Sequence, residues 1–223
     1  MRTLVFAPHP DDETIGVGGT ILKRLANGDK VAWVIVTAMK PENYSINEIN
    51  KKNNKIKLVR QLYKFSKIFE LNFGASMLDD VPKIKLYKKI SKTIKDFKPD
   101  EIFIPHPSDS HSDHRIVFKA VSSCTKTFRY PYIKKILCYE TLSETGYGLK
   151  LKNGTKSFEP NYYNDISKFM KKKTKIARIY SDEFKKHPFP RSIKSIISNG
   201  LIRGAESNFT FAECFELLRF RED

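Results

Sequence analysis

Cysteine is scarce in this chain of 223 residues: Cys124, Cys138 and Cys214 are the whole complement. The number is odd, and none of the three stands in a C-x-x-C pair. That argues against a disulfide framework and for a reducing compartment. It also argues against a cysteine-built zinc site, which uses closely paired thiolates. Long apolar runs are missing as well. No stretch approaches the roughly 20 apolar residues that span a bilayer. The N-terminus enters a strand-like run without a basic region and apolar stretch ahead of it, so no signal peptide is expected. The expectation is a soluble, cytoplasmic protein. No internal repeat, low-complexity tract or linker divides the chain, and residues 1–223 read as one domain.

Acid is in short supply relative to base. There are 25 Asp and Glu against 41 Lys and Arg, a formal net charge of +16. Such a surplus first suggests nucleic acid. Yet no nucleic-acid motif is present, and the surplus is mostly lysine, spread along 51–57, 83–98 and 168–175 in a chain also rich in Asn and Ile. These lysines fit solvated helix faces. No nucleic-acid partner is therefore expected. An anionic substrate, or peripheral contact with an anionic membrane surface, suits the charge better.

What is present is an alternation of short apolar runs and amphipathic stretches. Residues 3–8 (TLVFAP) and 31–38 (VAWVIVTA) read as buried strands, with 68–73, 101–105 and 134–141 (KKILCYET) as further strands. Helical spacing predicts helices over 14–27, 46–65, 84–97 and 115–127, and Gly28 closes the first. Gly16, Gly18 and Gly19 let that first helix start close against the preceding strand. Residues 143–165 read as a long loop, 166–180 as a helix broken by HPFPRS (187–192), and 192–202 with 209–218 complete the fold. The β-α-β-α order implies a Rossmann-like three-layer α/β/α sandwich around a mostly parallel sheet. In such sheets the site lies at the carboxyl ends of the strands.

Two segments at such ends carry the chemistry. One reads Pro8-His9-Pro10-Asp11-Asp12-Glu13 and the other His106-Pro-Ser-Asp109-Ser-His111-Ser-Asp113-His114. Together they hold four of the five histidines. Imidazoles and carboxylates delivered from sequence-distant loops are how a catalytic metal site is assembled, with three protein ligands and a position left for water. His9 and Asp12 can supply two ligands and His114 a third. Asp11, adjacent to Asp12 and facing another way, is then the natural general base. His111 and His114 stand three apart at a helix entry, so one can bind the metal while the other faces the substrate. Asp113 or Asp109 can fix the tautomer of one of these rings.

The P-H-P-D-D-E run, the glycines at 16, 18 and 19 and His111-Ser-Asp-His114 resemble the PIG-L/LmbE family of metal-dependent N-deacetylases, and the resemblance extends over nearly the whole chain. Tyr139-Glu-Thr-Leu-Ser-Glu-Thr145, Pro188-Phe-Pro-Arg191-Ser and Arg203-Gly204 with Ala212-Glu-Cys-Phe215 resemble the branch encoded with bacterial surface-polysaccharide genes. The resemblance implies removal of an N-acetyl group from an N-acetylglucosamine-type sugar. The sugar would be linked to a nucleotide, lipid carrier or glycan precursor, and the resemblance together with the long loop points to a homo-oligomer. It implies zinc on His9, Asp12 and His114, with Fe²⁺ or another divalent ion as the alternative. It also implies water activation by Asp11. His111 would stabilise the oxyanion or protonate the leaving amine, with Asp113 orienting it. Where many members carry a substrate-binding Arg, this chain has Lys52 or a neighbour, a poorer bidentate clamp.

Further substrate contacts are assigned to Glu13, which alternatively caps the first helix, and to Asp79, which alternatively makes a turn. His106 and Arg191 complete the set; His106 alternatively hydrogen-bonds its loop, and Arg191 alternatively makes a structural ion pair. Two rivals stand beside this reading. One keeps the metal site but acts on a non-sugar amide or thiol-glycoside conjugate. The other is a basic nucleic-acid or anionic-membrane binding protein with structural histidines, for which salt-sensitive affinity in metal-free protein would speak.

Overall fold

The structure is a computed structural model and describes residues 1–148 and 157–222. Among these residues seven strands form one sheet. They are β1 (Arg2–Ala7), β2 (Lys30–Ala38), β3 (Lys67–Gly74), β4 (Glu101–Pro105), β5 (Lys135–Tyr139), β6 (Tyr162–Asp165) and β7 (Ala212–Phe220). Their order is β3-β2-β1-β4-β5-β7-β6. β1 to β5 pair in parallel, whereas β7 runs antiparallel to both its neighbours. The helices are α1 (Asp12–Ala26), α2 (Ile46–Tyr63), α3 (Lys83–Phe97), α4 (Ser112–Ser123), α5 (Met170–Ala177) and α6 (Ile193–Ser207). The result is the expected three-layer α/β sandwich.

Strands buried on both faces carry apolar residues at every position, not at alternate ones. β2 buries seven successive residues from Val31 to Thr37. Alternation then divides the core in two. Leu4 and Phe6 of β1 join α3 and α4 on one face, and Val5 and Ala7 join α1 and α2 on the other. α2 begins with a capping box between Ser45 and Glu48 and ends on Lys64 in the left-handed conformation. α1 lies so close to the sheet that a Cβ on Gly16 would sit 2.3 Å from the Tyr139 ring. One on Gly19 would sit 2.7 Å from Ile166.

Three expectations are corrected. The segment read as a loop over 143–165 contains β6, which pairs residue by residue with β7; the stretch 149–156 of that loop lies outside the described residues. α4 starts at Ser112, three residues before its expected start, so His114 lies inside the helix. Lys52 and Lys173, placed on solvated faces by their runs, are buried: Lys52 beside Glu183, and Lys173 against Glu213 at 2.7 Å.

Candidate active site

β1 and β4 are hydrogen-bonded neighbours, so the loops that follow them emerge side by side. β1 is also where the strand order reverses, the switch point at which α/β sheets open a crevice. The first loop carries His9 and Asp11 and enters α1 at Asp12. The second runs from His106 to His111 and enters α4.

His9, Asp12 and His114 each bring one ligand atom within 4.8 Å of the others. Asp12 Oδ2 lies 3.3 Å from His114 Nε2 and 3.5 Å from His9 Nδ1, and it accepts the His9 backbone N–H at 2.8 Å. The far nitrogen of each ring meets another carboxylate. His114 Nδ1 is 2.7 Å from Asp109 Oδ2, and His9 Nε2 is 3.0 Å from Asp113 Oδ2. Thr145 donates to the other Asp109 oxygen at 2.6 Å, and Asp113 also accepts the amides of Ser76 and Leu78. Carboxylates behind metal-binding imidazoles fix ring orientation and raise ligand basicity.

The donor set suits a divalent cation. Burial disfavours charge on His9, but its hydrogen bonds to the Asp113 and Asp12 carboxylates outweigh it and raise the ring to about 9. His114, likewise opposed by burial, is lifted to about 10 by Asp12 and Asp109. The carboxylates thus collect positive charge at this point, and a metal would take the place of those protons. His9 also forms a second group with His111 and Asp113 that shares its ring.

Asp11 stands beside this cluster with φ 144°, a backbone conformation that side chains disfavour. Glu13 holds it there. Fully buried, Glu13 accepts the Asp11 amide on one oxygen and the hydroxyls of Thr14 and Tyr180 on the other. Burial first, and then the charge of Asp12, push Asp11 up to about 7, against the pull of Lys52 and Arg191. Arg191 donates to Asp11 Oδ2 at 3.3 Å. Glu183 binds Lys52 at 3.1 Å and faces Arg191 at 3.9 Å.

His111 differs from the other two rings. Its Nδ1 accepts the Asp113 amide at 3.1 Å, capping α4. That leaves the proton on Nε2 and the ring half-buried in the cleft wall. Burial, then the charges of His9 and His114, lower its pKa.

The cleft encloses about 180 Å³, less than the ~300–1,000 Å³ of pockets that swallow a drug-sized ligand whole. His9, Asp11, Asp12, Lys52, His111, His114 and Arg191 all line it, as do Ser76, Glu144 and Glu183. Four expected contacts fall elsewhere. Asp113 turns its carboxylate to His9, not to His111, because the Ser76 and Leu78 amides hold it there. Glu13 lies beneath Asp11, away from the cleft. His106 is buried against Glu216 and the Phe158 ring, and Asp79 is exposed on a 3-10 turn at Leu78–Asp80. Glu183, Glu144 and Thr145 were not anticipated. Glu144 and Thr145 belong to a segment singled out only by resemblance, and Glu183 has no motif around it.

A crevice at the switch point of a mostly parallel sheet thus brings the Asp11–Asp12 pair together with three imidazoles. Residues 4–125 match the family profile PIG-L, described as GlcNAc-PI de-N-acetylase. That is over half of the chain, which belongs to the PIG-L family and so to the hydrolytic N-deacetylases. A curated relative, diacetylchitobiose deacetylase of Thermococcus kodakarensis, is 26% identical over 196 residues, 82% of this chain and 70% of the relative. The solved structure of N,N′-diacetylchitobiose deacetylase from Pyrococcus horikoshii with its inhibitor superposes with a TM-score of 0.75 at 24% identity, covering 98% of this chain and 84% of the other. GalB, the 4-carboxy-2-hydroxymuconate hydratase from Pseudomonas putida KT2440, shares the fold with a TM-score of 0.73 at 11% identity, covering 100% and 98%. The fold alone therefore hosts more than one reaction.

Proposed function

We propose that this protein hydrolyses the N-acetyl group of an N-acetylglucosamine-type sugar or sugar conjugate, with a divalent metal, zinc in the first instance and Fe²⁺ as the alternative. The observation that carries this is Asp11 beside the His9–Asp12–His114 group, all lining one cleft. His9, Asp12 and His114 would hold the ion, which when bound polarises the amide carbonyl and acidifies water. Asp11 takes the proton of the attacking water; a base near neutrality suits that task. His111 presents Nε2–H to the developing oxyanion as a neutral donor. Asp11 then returns the proton to the departing nitrogen, so amide and water become amine and acetate. Asp109 and Asp113 keep the two ligand rings in place, and Arg191 and Lys52 hold Asp11 and the cleft wall.

We read residues 1–223 as one domain, because β7 and β6 complete the sheet that β1 begins. The free, buried Cys124, Cys138 and Cys214 suit a reducing cytoplasm. Among the described residues no helix is long and apolar enough to cross a membrane. A role in surface glycan or polysaccharide synthesis fits the branch resemblance. The test is acetate release from neutral, nucleotide-linked and lipid-linked N-acetyl sugars by metal-loaded protein. Acetate with stoichiometric free amine from any of them supports the proposal. Metal-loaded protein that releases acetate from none of them, but cleaves other amides, refutes the sugar assignment.

A further inference from the structure

The segment from Tyr180 to Lys194 is the shared wall of two cavities. Glu183 and Arg191 face the cleft just described. Phe184, Lys185, Lys186, His187 and Ser192 line a second, open hollow of about 500 Å³, which Arg178, Ile193 and Lys194 complete.

The two cavities are lined differently: the cleft pairs its charges, and the hollow carries one sign. Four carboxylates line the cleft, Asp11, Asp12, Glu144 and Glu183, together with Lys52, Arg191 and the His9 and His114 rings that Asp12 faces. Each positive group there is engaged: Lys52 with Glu183, Arg191 with Asp11, and both rings with Asp12. The hollow has Arg178, Lys185, Lys186 and Lys194 around its rim, and among the described residues no carboxylate lines it. All four are exposed. Lys185 lies over the Phe189 ring at 5.3 Å, and the floor is apolar, formed by Phe184 and Ile193.

Charge sorting of this kind acts on a substrate with two different ends. Apart from the metal position, the cleft's own cations are already paired and offer a phosphate little, whereas a neutral acetamido sugar needs no cation. A phosphate in the hollow would meet four unopposed cations, and the apolar floor would accept a base or a prenyl chain. We propose that the hollow binds the phosphate of a diphosphate carrier whose sugar end enters the cleft. This rests on the deacetylase reading of the cleft and names the class of its substrate.

The test has a binding arm that does not depend on turnover. Uridine diphosphate is titrated calorimetrically against metal-loaded wild type and against the combined variant Lys185→Glu, Lys186→Glu, Lys194→Glu, at low and high salt. The expected result is at least a tenfold weaker dissociation constant in the variant, and an affinity in wild type that falls with salt. Diphosphate binding at the metal itself would survive in the variant, and equal affinity for the two proteins would overturn the proposal.

The kinetic arm compares neutral diacetylchitobiose with a nucleoside-diphosphate and a polyprenyl-diphosphate N-acetylglucosamine. The variant should raise KM for the diphosphate substrate at least tenfold and leave kcat and the neutral substrate unchanged. Whichever diphosphate is turned over identifies the carrier. If no sugar releases acetate, the deacetylase reading fails, while the binding arm still decides whether the hollow takes a diphosphate.

Discussion

The cleft and the hollow lie on either side of one short segment and differ in every respect that matters for binding. The cleft is narrow, rich in carboxylates and crossed by hydrogen bonds between α1, α2, α4 and the loops beside them. The hollow is open and basic, with its four cations exposed. The chain carries +16 in total, yet four carboxylates surround the place where chemistry would occur. Net charge is a statement about solubility and long-range attraction. The sign at a reaction centre is set by which side chains the backbone brings there.

The difference can be tested hardest at Asp11. Replacing it with Asn keeps the shape of the cleft and removes its proton acceptor. Turnover should fall by about 10²–10⁴-fold, the span expected of a general base, with metal content unchanged. A variant that keeps more than a tenth of wild-type kcat would mean that another group takes the proton.

The next largest effect concerns the two supporting carboxylates. Asp109→Asn and Asp113→Asn should each weaken metal binding by roughly 10–100-fold, read by competition with a chelator. Asp113→Asn should also lower thermal stability more than Asp109→Asn does, because Asp113 alone ties down the Ser76 and Leu78 amides. Equal stability of the two would contradict the part given to that carboxylate.

A smaller effect is expected from Arg191→Met. Arg191 holds the Asp11 pKa down, so losing it raises that pKa. Asp11 must be ionised to accept a proton, and the acid limb of kcat/KM should therefore move to higher pH. A limb that stays in place, or moves down, would show that Arg191 does not act on Asp11. The smallest effect belongs to the hollow, where a single change such as Lys186→Ala should alter only the salt dependence of diphosphate binding, by a few-fold at low ionic strength.

How far the sequence already held this picture depended on whether the cause was local. β1, β2 and β4 were legible because strands buried on both faces announce themselves as unbroken apolar runs. That His9, Asp12 and His114 come together was legible because the loops leading to them leave the neighbouring strands β1 and β4. β6 was not: it is a four-residue edge strand whose partner lies some fifty residues later, and nothing within Tyr162–Asp165 points to β7. The target of Asp113 was not legible either, since it is chosen by two amides of the turn after β3. Lys173 read as one more solvated lysine, and its partner Glu213 sits on the last strand. The place of Glu13 beneath Asp11 depends on Tyr180, which reaches it from the far end of the chain.

The proposed deacetylation depends on a divalent ion held by His9, Asp12 and His114. The most direct test is metal content per chain, by elemental analysis of wild type and Asp12→Ala purified side by side, with acetate release measured on the same samples. The account predicts about one ion per wild-type chain, little or none in the variant, and acetate only from wild type. An equally metal-loaded variant, or acetate release from metal-free protein, would contradict it.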